Sequence, residues 1–288
     1  MDTPTIEVTS PAIRYHGAKF RLAPWIMQFF PHHQCYVEPF GGAAGVLLQK
    51  ARSYAEIYND IDGEIVNYFA VLRDQALRER LIEALALTPF ARAEFDLAYE
   101  PTDDPVEWAR RTAIKAQMGF GSAGATKERT GFRVDAARAY STPPDLWARF
   151  PQALAAVGER FTGVLIENRD ALDILDIYDG PQTLFYVDPP YVLSTRQMDG
   201  AGRYYRHEMD DAAHERLLDR LATRSGMVVL SGYESELYCD RLADWKSFRT
   251  QSRIAAGRGG GTRTELVWIN RCCQDALYND LGPLFGPL

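Results

Sequence analysis

Apolar and polar positions follow two different periods along this chain. CYVEPF (35–40), AEIYND (55–60), GVLIEN (163–168), TLFYVD (183–188), GMVVLSGY (226–233) and TELVWIN (264–270) are short apolar runs rich in β-branched and aromatic residues, and each predicts a strand. Helical spacing fills the gaps between them. FRLAPWIMQFF (20–30) is amphipathic and stopped by Pro31, VLLQKA (46–51) begins a helix, and DGEIVNYFAVLRDQALRERLIEAL (62–85) puts Ile65, Tyr68, Phe69 and Leu72 on one face. RDALDIL (169–175) and DDAAHERLLDRLAT (210–223) are further helices. Alternating strand and helix predicts an α/β fold with a largely parallel sheet. The alternation lapses from 73 to 163, where charge-rich helical sequence brackets the glycine-rich MGFGSAGATKERTGF. The organisation expected is one body from 1–72 and 164–288, with 73–163 inserted as mostly helical structure carrying a loop or hairpin.

Composition narrows the class. With 288 residues, 46% hydrophobic and 25% charged, the chain matches a soluble globular enzyme of one large domain or a domain bearing a smaller one. No apolar run nears the ~20 residues of a membrane span. The start, MDTPTIEVTS, lacks the features of a signal peptide, so the expected location is cytoplasmic. Cys35, Cys239, Cys272 and Cys273 form no CxxC pair and have no histidine at ligand spacing; they are read as buried reduced thiols, and no metal is expected. Cys272–Cys273 is placed in the last strand or just after it.

A net charge of −7 disfavours a nucleic-acid partner until its distribution is considered. Residues 54–107 carry thirteen acids against four arginines, whereas 108–161 carry nine bases against four acids and 246–271 six bases against Glu265 alone. Two basic stretches on an acidic body are able to line one cleft.

The most specific chemical signal is Asp188-Pro189-Pro190-Tyr191 at the end of an apolar strand, where ligands of open α/β sheets bind. An exocyclic amine is a weak nucleophile because its lone pair is delocalised into the ring. A carboxylate and a carbonyl accepting its two N–H bonds hold it with the lone pair aimed out of the ring plane. Proline, with its fixed φ and no N–H, stiffens the turn that presents the carbonyl, and an aromatic beside it can stack on a base. The second signal is VEPFGGAAG, a strand running into a glycine bend that brings backbone close to a ligand. It has neither a Walker lysine nor GxGxxG spacing, but Asp60, eighteen positions after Gly42 at the end of the next strand, suits ribose hydroxyls.

Taken together and in order, RYHGAK (14–19), VEPFGGAAG (37–45), YNDID (58–62) and VDPPY (187–191), with LSGY and GRGGGTRTELVWIN behind them, resemble the Dam-type family of DNA adenine-N6 methyltransferases, the α-arrangement or D12 class. The resemblance spans nearly the whole chain except the insertion. It implies a Rossmann-like class I methyltransferase sheet flanked by helices, an inserted target-recognition domain, S-adenosyl-L-methionine as cofactor, S-adenosyl-L-homocysteine as product, and double-stranded DNA as partner. A cognate restriction endonuclease is a further partner it allows. Tyr15, Gly17 and Lys19 are implied at the methionine end of the cofactor. Glu38, Pro39, Phe40, Gly41 and Gly42 shape its pocket, Asp60 and Ile61 meet the ribose and its surroundings, and Asn168 and Arg169 flank the adenine. Asp188, Pro189, Pro190 and Tyr191 receive a flipped target base, Asp188 also bordering the cofactor. His16 departs from the family, which usually has a small residue there. For DNA contact the expected residues are Lys127, Arg129, Phe132 and Arg133, near Phe120, with Arg258 and Arg263 towards the C-terminus.

The residues leave alternatives open: an RNA adenine methyltransferase with the same catalytic loop, a cytosine-N4 enzyme (more often serine at position 188), and a catalytically silent DNA-binding protein of the same fold. A dinucleotide oxidoreductase shares the α/β plan but lacks its phosphate fingerprint here.

Overall fold

The apolar runs do become strands, and they alternate sides as a period of two requires. The computed structural model describes residues 7–126, 129–134, 141–195, 204–254 and 261–281. β1 (Cys35–Glu38), β2 (Ala55–Asn59), β3 (Leu165–Glu167), β4 (Thr183–Val187), β5 (Met227–Gly232), β6 (Lys246–Ile254) and β7 (Gly261–Ile269) form one sheet, ordered β3-β2-β1-β4-β5-β7-β6. β1 to β5 pair in parallel, and β7 runs antiparallel to both β5 and β6.

Helices cover both faces: α1 (Ala23–Ile26), α2 (Gly63–Arg73), α3 (Gln75–Leu87), α4 (Arg92–Leu97), α5 (Pro105–Met118), α6 (Pro143–Arg149), α7 (Leu154–Phe161), α8 (Ala171–Ile177), α9 (Asp211–Ala222), α10 (Glu236–Arg241) and α11 (Arg271–Leu281). Tyr36, Leu184, Tyr186 and Val229 point to one side and join a core with Ile65, Phe69, Leu72 and Phe161. Their neighbours Val37, Phe185, Val187, Val228 and Leu230 point to the other, onto Ile174 of α8, Leu217 and Leu221 of α9 and Tyr238 of α10. β4 and β5 are buried at every residue, as parallel strands covered on both faces must be. This is the helix-flanked Rossmann-like sheet expected of the chain. Strand order reverses between β1 and β4, and at such a switch point the loops leaving the carboxyl ends diverge around a crevice. β1 ends at Glu38 and β4 at Val187, so the glycine loop and Asp188 open onto the same crevice.

Several local expectations are corrected. VLLQKA forms turns rather than a regular helix, because the Leu47 N–H is diverted to Glu38 Oε1 (2.8 Å) and Ala44 adopts φ +54°. FRLAPWIMQFF yields only α1 and a 3₁₀ turn, since Phe30 goes extended ahead of Pro31. The long helix from 62 to 85 breaks at Asp74, whose carboxylate caps Leu77 N–H and starts α3. β6 is an addition: KSFRTQSRI has one large apolar residue near its middle, Phe248, and becomes a strand through its full antiparallel register with β7. Cys272 and Cys273 lie in α11, and of the four free thiols Cys273 is buried while Cys239 is exposed.

Within 73–163 the expected helices appear, and their first and last members pack on α2. Phe161 of α7 stacks on Phe69 at 4.4 Å and meets Tyr58 of β2 at 5.5 Å. The expected hairpin is a bridge between Gly119 and Phe132, with Phe120 N–H bonded to the Gly131 carbonyl (2.7 Å) and Arg133 N–H to the Met118 carbonyl (2.7 Å). No helix among the described residues is long and apolar enough to cross a membrane.

Candidate active site

The loop after β1 is stitched to the end of β2. Gly41 N–H donates to the Asn59 carbonyl (2.7 Å), Gly42 N–H to Asp60 Oδ2 (2.8 Å), and the Tyr58 hydroxyl to the Gly42 carbonyl (2.7 Å). A Cβ on Gly41 would lie 2.2 Å from the Tyr58 ring, and Gly42 sits at φ +47° with the Tyr15 ring against its open side. Asp60 Oδ1 accepts Asp62 N–H at 2.9 Å. Burial pushes the Asp60 carboxyl up to about 6, although these two N–H donors favour its charged form. Burial likewise lifts Glu38 to about 7, against hydrogen bonds from the Tyr36 hydroxyl (2.7 Å) and Leu47 N–H. Pro39 is buried, Phe40 half-buried, and Ile61 is 46% exposed beside Asp60.

Asn59 has a role that the sequence did not disclose. Fully buried, it donates through Nδ2 to the carbonyls of Pro39 (2.8 Å) and Arg169 (3.1 Å) and accepts Arg169 N–H on Oδ1 (2.9 Å). Asn168 Nδ2 donates to the Asp60 carbonyl (2.7 Å). The exits of β1, β2 and β3 are thus clamped together, which sets Asn168 and Arg169 beside Asp60 and Asn59. An asparagine closing the buried end of β2 was the available signal. Asn59→Ala is expected to cost about 2 to 3 kcal/mol by stranding these backbone groups; a urea-unfolding difference under about 0.5 kcal/mol would contradict the clamp.

Across the crevice, Asp188 Oδ2 pairs with Lys19 Nζ at 2.9 Å, the side chains being 16% and 7% exposed. Lys19 Nζ also donates to the Gly17 carbonyl (2.8 Å) and stands 4.8 Å from the centroid of the Tyr191 ring. Asp188 Oδ1 is buried, and among the described residues it has no hydrogen-bond partner within bonding geometry. Burial raises the Asp188 carboxyl, with Lys19 and the nearby Tyr191 hydroxyl opposing the rise and Glu265 adding to it. Burial alone would lower the Lys19 ammonium, but Asp188 and Glu265 hold it above its ordinary range. The Tyr191 hydroxyl donates to Glu265 Oε2 of β7 (2.9 Å), and its ring meets Tyr233 edge-on at 4.4 Å. Arg263 lies over the Tyr233 ring at 5.3 Å. Glu265 and Tyr233 belong to matched C-terminal blocks but carried no assigned role.

The DNA-contact residues divide. Lys127 and Arg258 lie outside the described residues. Arg129 is exposed, paired with Asp96 at 2.8 Å, and Arg263 is half-buried. Phe132 and Arg133 are corrected. Phe132 packs on Phe90 and Phe95 under the Arg92 guanidinium, and Arg133 is 8% exposed, because this strand of the hairpin turns inward onto the helical core. Phe120 is the aromatic that projects, 69% exposed. The 108–161 stretch is also less available than its charge suggests. Arg110 and Arg111 bind Glu107, Lys115 binds Glu64, and Arg160 binds buried Glu56. No group of three or more side chains able to hold a metal occurs among the described residues.

Residues 15–250 match the family described as D12 class N6 adenine-specific DNA methyltransferase. A search of curated proteins gives no match. Among solved structures, a precorrin 8w decarboxylase of Methanobacterium thermoautotrophicum is similar at a TM-score of 0.35 and 10% identity, over 86% of this chain and 88% of that one.

Proposed function

Because this chain belongs to the D12 class N6 adenine-specific DNA methyltransferase family, we propose that it methylates N6 of an adenine extruded from double-stranded DNA, with S-adenosyl-L-methionine as donor. The observation that carries this reading is the buried Asp188 at the sheet's switch point, its Oδ2 held by Lys19 and its Oδ1 without a hydrogen-bond partner among the described residues.

The residues fit such a donor. Asp60 offers a carboxylate for vicinal hydroxyls, Ile61 an exposed apolar face for a purine, and the strapped glycine loop a stretch of backbone with no side chains of its own at Gly41 and Gly42. When bound, S-adenosyl-L-methionine supplies an electrophilic methyl group on a sulfonium and leaves as the neutral thioether S-adenosyl-L-homocysteine. Lys19 occupies Asp188 Oδ2, so Oδ1 is the oxygen that accepts one N–H of the target amine. The Pro189 carbonyl accepts the other, turning the lone pair out of the ring plane. Tyr191 stacks on the base, its ring fixed by Glu265 and Tyr233. As the N–C bond forms, N6 sheds a proton for which Asp188 Oδ1 is an acceptor. Catalysis on this account is positioning and electrostatics.

Residues 73–163 are proposed as the target-recognition region, with Arg129 and the projecting Phe120 at the duplex and Arg263 on the far side of the base pocket. Extruding the adenine costs a few kcal/mol, which contacts by such groups offset. The cell's own DNA makes the cytoplasm the expected place of action.

Mapping N6-methyladenine in plasmid DNA from cells expressing this chain tests the reading and yields the recognised site. Methylated ribosomal RNA with unmodified plasmid would overturn it. A pH dependence follows from Asp60. Ribose hydroxyls donate best to the ionised carboxylate, so affinity for S-adenosyl-L-homocysteine should weaken as pH falls through about 6. In Asp60→Asn, calorimetry should find that slope gone; an unchanged slope would remove Asp60 from the cofactor site.

A further inference from the structure

His16 and Arg206 both leave their own segments to bind the recognition hairpin. His16 Nδ1 is 2.9 Å from Ser122 Oγ, and its ring lies parallel to Tyr204 at 4.4 Å. Arg206 N–H donates to the Thr126 carbonyl (2.7 Å), and its Nη2 reaches the Ala125 carbonyl (2.9 Å), Asp62 (2.6 Å) and Glu64 (3.0 Å). Glu64 is bound from the opposite side by Lys115 of α5 at 2.6 Å. Asp62, in turn, donates its N–H to Asp60. Tyr205 completes the joint: its hydroxyl donates to the His16 carbonyl (3.3 Å) and sits 2.5 Å from where a Gly17 Cβ would be.

Three parts of the chain therefore meet at one half-buried polar joint: the loop beside Lys19, the acids after β2, and the hairpin with α5. Two of them border the proposed cofactor pocket and the third is the proposed DNA reader. We propose that this joint couples the two ligands, so that whichever binds first orders the loops the other needs, and that His16 and Arg206 are its positioning residues. The inference rests on the functional reading above. Coupling of this kind is reciprocal and positive when one ligand bears the ordering cost for both. A cation suits the task, since the guanidinium Nη2 alone lies within hydrogen-bond distance of two carboxylates and a carbonyl, and a lysine ammonium on its shorter stem reproduces that only in part.

The test is calorimetric titration of S-adenosyl-L-homocysteine into the full chain, alone and with a short duplex carrying the site mapped above. The wild-type protein should bind about tenfold more tightly when DNA is present. In Arg206→Gln that ratio should fall to within about twofold of unity, with partial recovery in Arg206→Lys. A general structural lesion would weaken both titrations and leave their ratio in place. Should Arg206→Gln fail to fold, His16→Ala removes the ring between Tyr204 and Ser122 and carries the same expectation. A wild-type ratio of one with both ligands bound, or a full ratio surviving in the variant, overturns the coupling alone. Failure of the wild-type protein to bind either ligand overturns the functional reading with it.

Discussion

Replacing Asp188 with alanine is expected to lower methyl transfer to adenine by about a thousandfold or more, in the range found when one positioned electrostatic partner is removed from a reaction centre. The variant loses the carboxylate that follows β4, and it leaves the Lys19 ammonium, 7% exposed, without its 2.9 Å partner. Asp60, Gly41 and Gly42 are untouched, so binding of S-adenosyl-L-homocysteine at the proposed pocket should stay within about tenfold of wild type. Single-turnover methylation beside calorimetry separates the two effects. A rate within tenfold of wild type would refute the assignment of Asp188.

The largest effect on stability is expected from a residue with no part in the chemistry. Glu56 of β2 is 4% exposed and binds Lys50 Nζ (2.8 Å) and both terminal nitrogens of Arg160 (2.6 and 2.9 Å). Lys50 also lies over the Tyr36 ring at 4.5 Å, so its position depends on the sheet as well. Glu56→Ala leaves two buried cations beside each other, which costs about 3 to 5 kcal/mol when one partner of a buried ion pair is removed. Denaturant unfolding at neutral pH measures it, and a loss below about 1 kcal/mol would show that water reaches the pair. Burial alone would raise the Glu56 carboxyl, but Arg160 and Lys50 outweigh it and hold it below its ordinary value. A depressed folded-state value stabilises above the unfolded value of 4.5 and is lost as pH falls below it. Wild-type stability should therefore drop on acidification from there, and Glu56→Ala should show less of that drop.

What could be read in advance differs from place to place for physical reasons. TLFYVD and GMVVLSGY predicted buried strands because parallel strands covered on both faces must be apolar throughout. β6 was hidden because only its pairing with β7, and Phe248 packing on Phe29 at 4.4 Å, makes a strand of KSFRTQSRI. Asp60 and Gly42 were legible as a pair, since an acid at a strand end and a glycine bend each have one common use; their 2.8 Å hydrogen bond was not. Phe132 and Arg133 looked like DNA contacts because a glycine-rich, basic, aromatic loop has no periodicity to say which side faces inward. The bridge from Gly119 to Phe132 decided that, turning Phe132 to the core and leaving Phe120 outside.

By itself the amino-acid order determined the α/β alternation, the helical character of residues 73–163 and the short motifs whose backbone demands are local: a glycine bend, an acid at a strand end, a proline-stiffened turn. Only the tertiary structure decided that Lys19 pairs with one oxygen of Asp188, that Asn59 clamps three strand exits, and that Arg206 joins the acids after β2 to the hairpin. Those arrangements join residues 20 to 169 positions apart. Contacts of that kind are set by strand order and helix packing, which no local pattern of side chains encodes.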